Sequence, residues 1–185
     1  MRIISGQYKG RRITAPKKLP VRPTTDMAKE ALFNILNNRY YFDDINVLDL
    51  FSGTGNISYE FASRGTEHII SVDKDYGCTK FISQTSQEFE FNIQVIKADV
   101  FKYLETATQK HTVIFADPPY DFSLDAFSKI PVLVFQNQLL EANGVLIVEH
   151  SKHTNLSSLT NYSYSKSYGG NMFSFFEEEE KKADL

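Results

Sequence analysis

Residues 117 to 120 read Asp-Pro-Pro-Tyr and close an apolar run, His111-Thr-Val-Ile-Phe-Ala116, that has the pattern of a buried parallel strand. An acid, two residues without an N–H and then an aromatic ring are poorly suited to continuing a sheet. They are well suited to holding a flat ring that bears an amine. The Asp117 carboxylate and the carbonyl of Pro118 can each accept one hydrogen of an exocyclic NH2, and Tyr120 offers a face for stacking. A second signal lies upstream in Val47-Leu-Asp-Leu-Phe-Ser-Gly-Thr-Gly55, an apolar strand that runs into a tight Gly-x-Gly turn. Glycine lets backbone approach a ligand closely, and the N–H groups of a following helix attract an anion or carboxylate. The two signals together suggest a methyl donor held beside an amino-group acceptor.

Two further acids fit that geometry. Asp73 ends the next strand pattern, His68-Ile-Ile-Ser-Val72, where a carboxylate can accept from both hydroxyls of a ribose. Asp99 follows a third strand, Ile93 to Ile96, where it can meet an adenine amino group. Strand ends also carry Asp simply because they face water, so each acid alone is ambiguous. Acids and a Gly turn at successive carboxyl ends of parallel strands coincide with the edge at which such sheets bind ligands. The third glycine of the dinucleotide fingerprint is absent, because position 58 is Ser, which counts against a nicotinamide enzyme. Cys78 sits in a helical pattern and reads as a small buried filler. His150 and His153 stand three apart with no further ligand beside them, so no metal site is expected.

The elements that must position these residues alternate. Thr24 or Thr25 can cap a helix whose apolar face is Met27, Ala31, Leu32, Ile35 and Leu36, with Asp26 suited to its first turn. Ile45 to Leu50 then reads as a strand, the stretch from Asn56 as a helix stopped by Gly65, His68 to Val72 as a strand and Lys74 to Phe89 as a helix. Ile93 to Ile96, a short helix over 101 to 105, the strand ending at Asp117, a helix over 123 to 140 and a strand from Gly144 to Glu149 continue the series. Tyr162 to Phe176 alternate around Gly169-Gly170 as a hairpin. This predicts an α/β fold with a mainly parallel sheet, helices on both faces and a C-terminal antiparallel addition.

At 185 residues the chain fits one domain, 1–185, within which 1–40 form a basic extension and helix. No apolar run spans a bilayer and no apolar h-region marks a signal peptide, so a membrane location is not expected. Cys78 is the lone cysteine, consistent with a reducing cytoplasm. The net charge of −3 hides an asymmetry: Arg2, Lys9, Arg11, Arg12, Lys17, Lys18 and Arg22 fall in the first 22 residues with no acid. Such a segment either seeks a polyanion or is a solvated tail. Glu177 to Glu180 read as a solvated end of the chain.

At this point the residues resemble a known family, the RsmD-like bacterial methyltransferases that modify a guanine N2 in 16S rRNA with S-adenosylmethionine. The resemblance rests on Arg2-Ile-Ile-Ser-Gly-Gln-Tyr-Lys-Gly-Arg11, Arg22-Pro-Thr-Thr-Asp-Met-Ala-Lys-Glu-Ala-Leu-Phe-Asn-Ile-Leu36, Leu48-Asp-Leu-Phe-Ser-Gly-Thr-Gly55, Ser63-Arg-Gly65 and Asp117-Pro-Pro-Tyr120. The first two segments are the specific part, since the Gly turn and Asp-Pro-Pro-Tyr recur in many amino-group methyltransferases. Ser52 departs from the usual Ala, Asp73 stands where Glu is common, and the match loosens after Ile130. The resemblance implies a seven-stranded, Rossmann-like class I methyltransferase fold. It implies that Asp49, Phe51, Ser52, Gly53 and Gly55, with Thr24 and Thr25, pass the methionine end of the cofactor, Asp73 its ribose, and Asp99 with Val100 its adenine. Asp117, Pro118, Pro119 and Tyr120 would hold the guanine, and Arg2, Lys9, Arg11, Arg12 and Arg22 would meet RNA. The expected substrate is 16S rRNA in a small-subunit particle, with S-adenosylhomocysteine as product, and the protein is expected to be a cytoplasmic monomer without a metal. Two other readings of the residues stay open: an adenine-N6 methyltransferase on DNA or RNA, and a non-catalytic RNA-binding assembly factor.

Overall fold

The computed structural model describes residues 1–19 and 24–178. Seven strands form one sheet in the order β3-β2-β1-β4-β5-β7-β6. They are β1 (Asn46–Leu50), β2 (His68–Asp73), β3 (Ile93–Lys97), β4 (His111–Ala116), β5 (Leu140–Ser151), β6 (Tyr162–Tyr168) and β7 (Asn171–Phe176). The first five are parallel, and β7 inserts antiparallel between β5 and β6. The chain builds outward from β1 to β3 and then returns to β4 on the other side of β1. That reversal opens a crevice at the carboxyl ends of β1 and β4, the place where open α/β sheets take ligands.

The inner parallel strands β1, β2, β4 and β5 are buried on both faces along most of their length, as parallel strands covered by helices must be, while the edge strands β3 and β6 are only partly covered. Leu48, Leu50, Ile114, Ala116, Leu146 and Val148 pack toward α4 (Val100–Thr106) and α5 (Leu124–Gln136). Val47, Val113, Phe115, Val145, Ile147 and Phe173 pack on the opposite face toward α1 (Asp26–Asn37) and α2 (Asn56–Ser63). Local signals set the helix starts: Thr25 caps α1, Asp75 caps α3 (Tyr76–Glu88) by accepting from the Cys78 N–H, and Asp99 caps α4. The helix expected from Lys74 therefore begins two residues later. The helix expected over 123 to 140 ends at Gln136, and Leu140 instead pairs with His111 as the start of β5. Gln138 at φ +52 turns the chain there, a backbone reversal that an apolar pattern does not register. Among the described residues no helix is long and apolar enough to cross a membrane.

The basic N-terminal segment is neither a free arm nor a tail. Arg2 and Arg12 form an antiparallel bridge, and Ile3, Tyr8 and Ile13 pack against Tyr59, Ile82, Phe89 and Phe91 across α2 and α3. Gly6 at φ +84 lies so close to α2 that a Cβ there would stand 1.8 Å from the Ser63 carbonyl oxygen. The fully buried Glu60 carboxylate accepts the N–H groups of Ile4 (2.8 Å) and Ser5 (3.0 Å) and the Arg64 Nε–H (2.9 Å). It also pairs with Lys29 at 3.4 Å, and the Lys29 Nζ donates to the Arg2 carbonyl (2.6 Å) and Asn56 Oδ1 (2.9 Å). Deleting these residues would strip a hydrophobic cluster and this ionic hub, so the segment is structural as well as charged. At the other end Glu177 is not simply solvated: it pairs with Arg39 at 2.6 Å, while Glu179 and Glu180 lie outside the described residues.

Glu60→Gln should destabilise the protein by about 3 to 5 kcal/mol, the cost of leaving the buried Lys29 ammonium without its counter-charge. Denaturant unfolding of both forms measures it, and a loss below about 1 kcal/mol, the value of an exposed pair, would refute the hub.

Candidate active site

A cavity of about 450 Å³ occupies the crevice, lined from the carboxyl ends of β1, β2, β4 and β5, the turn after β3 and the first residue of β7. Every residue assigned to the cofactor or the acceptor base from the sequence lines it except Gly55: Thr24, Thr25, Asp49, Phe51, Ser52, Gly53, Asp73, Asp99, Val100, Asp117, Pro118, Pro119 and Tyr120. Gly55 shapes the wall from behind. It is the N-cap of α2 at φ +83, and a Cβ there would meet the Tyr59 ring at 2.7 Å. No side chain caps α2, so its first N–H groups stay available to a carboxylate. Phe51, at φ +56, holds a backbone conformation costly for an aromatic residue, and such strain concentrates at ligand sites.

Asp73 has a structural part that its place at a strand end did not indicate. Its Oδ2 accepts the Gly53 N–H and its Oδ1 the Asp75 N–H, both at 2.8 Å, so it ties the Gly turn to the end of β2. Each oxygen keeps a lone pair for a hydroxyl. Burial raises its pKa, opposed by those two N–H bonds. Asp99 takes the N–H groups of Phe101 and Lys102 on Oδ1 alone, which leaves Oδ2 for an amino group. Phe51, Phe101 and Phe122 cluster with ring centroids 5.8 to 6.2 Å apart and supply apolar wall beside it. The Ser52 Oγ is buried without a partner, a polar atom that a bound ligand can satisfy. These groups fit S-adenosylmethionine: acceptors for hydroxyls and an amine, helix N–H groups for a carboxylate and an apolar slot for a base. Cys78 also lines the cavity, but burial pushes its thiol up to about 12, so it is a filler and not a nucleophile. Among the described residues no His, Cys, Asp and Glu are grouped to hold a metal ion.

Asp49, Asp117 and Glu149 share one face of the sheet. Asp49 pairs in register with Phe115 and Ile147 with Phe115, and Asp117 and Glu149 each lie two residues beyond, on strands about 4.8 Å apart. Asp49 is fully buried and accepts from the Ser58 Oγ at 2.6 Å; burial outweighs that bond and lifts its pKa to about 7. Asp117 is raised well above the carboxylate range, first by desolvation and then by the like charges of Glu149 and Asp49. Glu149 is 1% exposed and is also raised by burial, against hydrogen bonds from Thr24, Tyr120 and Asn171. The turn after β4 bonds the Phe122 N–H to the Pro119 carbonyl, which leaves the Pro118 carbonyl for an incoming donor.

Glu149, Asn56 and Asn171 were not singled out from the sequence. The rule that picked Asp73 and Asp117, an acid at the end of a buried parallel strand, applies equally to Glu149 after Val145–Val148. Asn171 carries no such signal, because only the insertion of β7 beside β5 brings it to the cavity. The proposed RNA contacts lie away from the crevice. Arg2, Lys9, Arg11 and Arg12 are all exposed on the docked N-terminal segment; Arg2 pairs with Asp26 at 3.1 Å and Arg11 lies over the Phe89 ring. Arg22 lies outside the described residues.

The family model described as conserved hypothetical protein 95 matches residues 1–177. A Bacillus subtilis protein named "Putative rRNA methyltransferase YlbH" is 36% identical over 161 residues, covering 84% of this chain and 85% of its own. The Escherichia coli K12 "Ribosomal RNA small subunit methyltransferase D" is 30% identical over 150 residues, covering 80% of this chain and 71% of its own. Among solved structures, the Thermus thermophilus hypothetical protein TTHA0928 superposes with a TM-score of 0.82 at 27% identity, covering 96% of this chain and 99% of that one. A T. thermophilus 16S rRNA N2 G1207 methyltransferase solved with AdoMet and guanosine shares the fold, with a TM-score of 0.68 at 18% identity, covering 86% of this chain and 45% of that one.

Asp49 makes stability fall as pH rises. A carboxyl whose pKa moves from 3.8 to about 7 on folding binds its proton more tightly when folded, so its contribution is full below pH 4 and gone above pH 7. Asp49→Asn should therefore be of similar stability to the wild type near pH 4 and more stable by up to about 4 kcal/mol near pH 8. Denaturation of the ligand-free pair at both pH values reads this difference, and a difference that does not grow with pH would refute it.

Proposed function

From the premise that this chain belongs to the RsmD-like, conserved hypothetical protein 95 family of S-adenosylmethionine-dependent rRNA methyltransferases, we propose that the amine it methylates is the N2 of a guanine in 16S rRNA. The observation that supports an exocyclic amine as acceptor is the placing of Asp117 and the Pro118 carbonyl side by side at the edge of the cavity that the Gly turn and Asp73 shape, and the choice of a guanine rests on the family likeness. The N2 lone pair is delocalised into the purine, which makes it a weak nucleophile. Asp117 and the Pro118 carbonyl, each accepting one N2 hydrogen, draw the nitrogen toward tetrahedral geometry and localise that lone pair. The cofactor supplies a sulfonium methyl as electrophile and a neutral thioether as leaving group. The N2 proton then passes to Asp117, whose raised pKa makes it a better base than an ordinary carboxylate. Tyr120 stacks on the purine, and the rest of the rate comes from positioning.

Asp73 and Asp99 hold the ribose and adenine, and Asp49, which packs against Ser58 behind the Gly turn, supports that wall. The exposed cations of the docked N-terminal segment supply phosphate contacts, and because Glu60 fastens that segment to α2 they stand at a fixed position relative to the crevice. The substrate is rRNA, by itself or in a small-subunit particle, and the reaction is cytoplasmic and carried out by a monomer. An adenine-N6 activity would use the same acceptor motif, and nucleoside mass analysis of rRNA after reaction separates the two.

Asp117→Ala should nearly abolish transfer while cofactor affinity stays largely intact, whereas Asp73→Ala should weaken S-adenosylmethionine binding by about 1 to 3 kcal/mol. Calorimetry and a methyl-transfer assay on 16S rRNA, with N2-methylguanosine as the expected product, check both; near-normal turnover in Asp117→Ala sinks the mechanism.

The RNA surface calls for point substitutions, since removing the segment would damage the fold. Lys9→Ala and Arg12→Ala should each lower RNA affinity and reduce the log–log salt slope by about 0.7 to 0.9 per lost phosphate contact, with unchanged unfolding. Titrations at several salt concentrations give the slope, and an unaltered slope in the double variant moves the RNA surface elsewhere.

A further inference from the structure

The Glu149 carboxylate is held by donors from three separate elements. Its Oε2 accepts from the Thr24 Oγ1 at 2.9 Å, and its Oε1 accepts from the Asn171 Nδ2 at 2.6 Å and from the Tyr120 hydroxyl at 3.3 Å. A carboxylate offers about four lone-pair sites, so these three donors leave one, on Oε2. With all three partners donating to the carboxylate, the remaining Oε2 lone pair is the acceptor that Glu149 keeps open. It lines the same cavity as Asp117, one strand away on the same face of the sheet.

Resting on the guanine-N2 reading, we infer that Glu149 is a specificity-determining residue whose carboxylate accepts the N1–H of the target guanine. The chemistry follows from the base edges. Guanine presents three hydrogens in a row, one on N1 and two on N2, and the site presents three acceptors: Glu149, Asp117 and the Pro118 carbonyl. Adenine sets a ring lone pair at N1 beside its amine, and cytosine sets one at N3. A carboxylate oxygen facing either lone pair meets no hydrogen, and two lone pairs are set against each other where guanine would donate. Asp117 and Pro118 recognise an amine on any of these bases; Glu149 distinguishes the base that carries it. The hydrogen bonds from Thr24 and Asn171 keep the carboxylate in place whether or not the Tyr120 hydroxyl remains on it during stacking.

The test uses an RNA fragment carrying the modified guanine, or 2-aminopurine in its place, which keeps the N2 amine but has a lone pair at N1. The wild type should disfavour 2-aminopurine by at least about 100-fold in kcat/KM, a lower bound on the roughly 10⁴- to 10⁵-fold by which a site built for a hydrogen bond rejects an analogue that lacks it. Glu149→Gln, whose amide NH2 can donate to that ring nitrogen, should lose activity on guanine and narrow the ratio by at least about tenfold. If Glu149→Gln slows both substrates by the same factor, Glu149 only positions Tyr120 and Thr24, and the inference is overturned. A wild type that accepts 2-aminopurine as readily as guanine overturns it with no variant at all, which covers a Glu149→Gln that fails to fold. The product nucleoside separates the two levels: N2-methylguanosine with an unchanged ratio refutes the role of Glu149 alone, while any other product refutes the guanine reading and this inference with it.

Discussion

The structure depends on the reversal of strand order between β1 and β4, because it brings carboxylates to one edge of a sheet that is otherwise sealed in hydrocarbon. Asp49, Asp73, Asp117 and Glu149 end neighbouring strands, and burial raises the pKa of each. Four desolvated acids within a few strand widths cannot all be charged cheaply. Burial therefore favours their protonated forms. The donors already present, Ser58 for Asp49, two backbone N–H groups for Asp73 and three side chains for Glu149, oppose that shift and fix which oxygens stay open.

The N-terminal segment is the second dependency. Its charge suggests a mobile polyanion-binding arm, yet its alternate apolar residues are buried under α2 and α3, and Glu60 holds its backbone directly. The Lys29–Glu60 pair links three pieces: the segment, through the Arg2 carbonyl; α1, which carries Lys29; and α2, whose Asn56 opens the helix beside the cavity. A buried pair of this kind contributes less to stability than to registry, since its partners are costly to separate. Here registry means that exposed cations and the cavity share one rigid frame.

The family relationship and the geometry support one another at different levels. Relatives named as rRNA methyltransferases establish the reaction class, and the cavity brings the Gly turn, the strand-end acids and the Asp-Pro-Pro-Tyr turn of this chain together. The discrimination among bases is a finer matter, because an acid and a carbonyl beside an aromatic ring accept any exocyclic amine. In the inference drawn above it falls to Glu149, one strand over.

By itself the sequence determined the alternation of strands and helices, the Gly turn, the Asp-Pro-Pro-Tyr turn and the acids at strand ends. These are local or periodic signals, which composition and spacing carry directly: His111–Ala116 was legible because a strand buried on both faces is continuously apolar, and Asp99 because an acid follows closely on an apolar strand. Tertiary structure alone decided three things. It made Asp73 a brace for the Gly turn, since the Gly53 N–H is twenty residues away and meets it only when β1 and β2 align. It turned the basic arm into a packed element, since the partners of Ile3 and Tyr8 lie on α2 and α3, far along the chain. It also joined Thr24, Tyr120 and Asn171 on Glu149, because hydrogen-bond partners separated by 22 to 125 residues are chosen by strand order and not by any pattern along the chain.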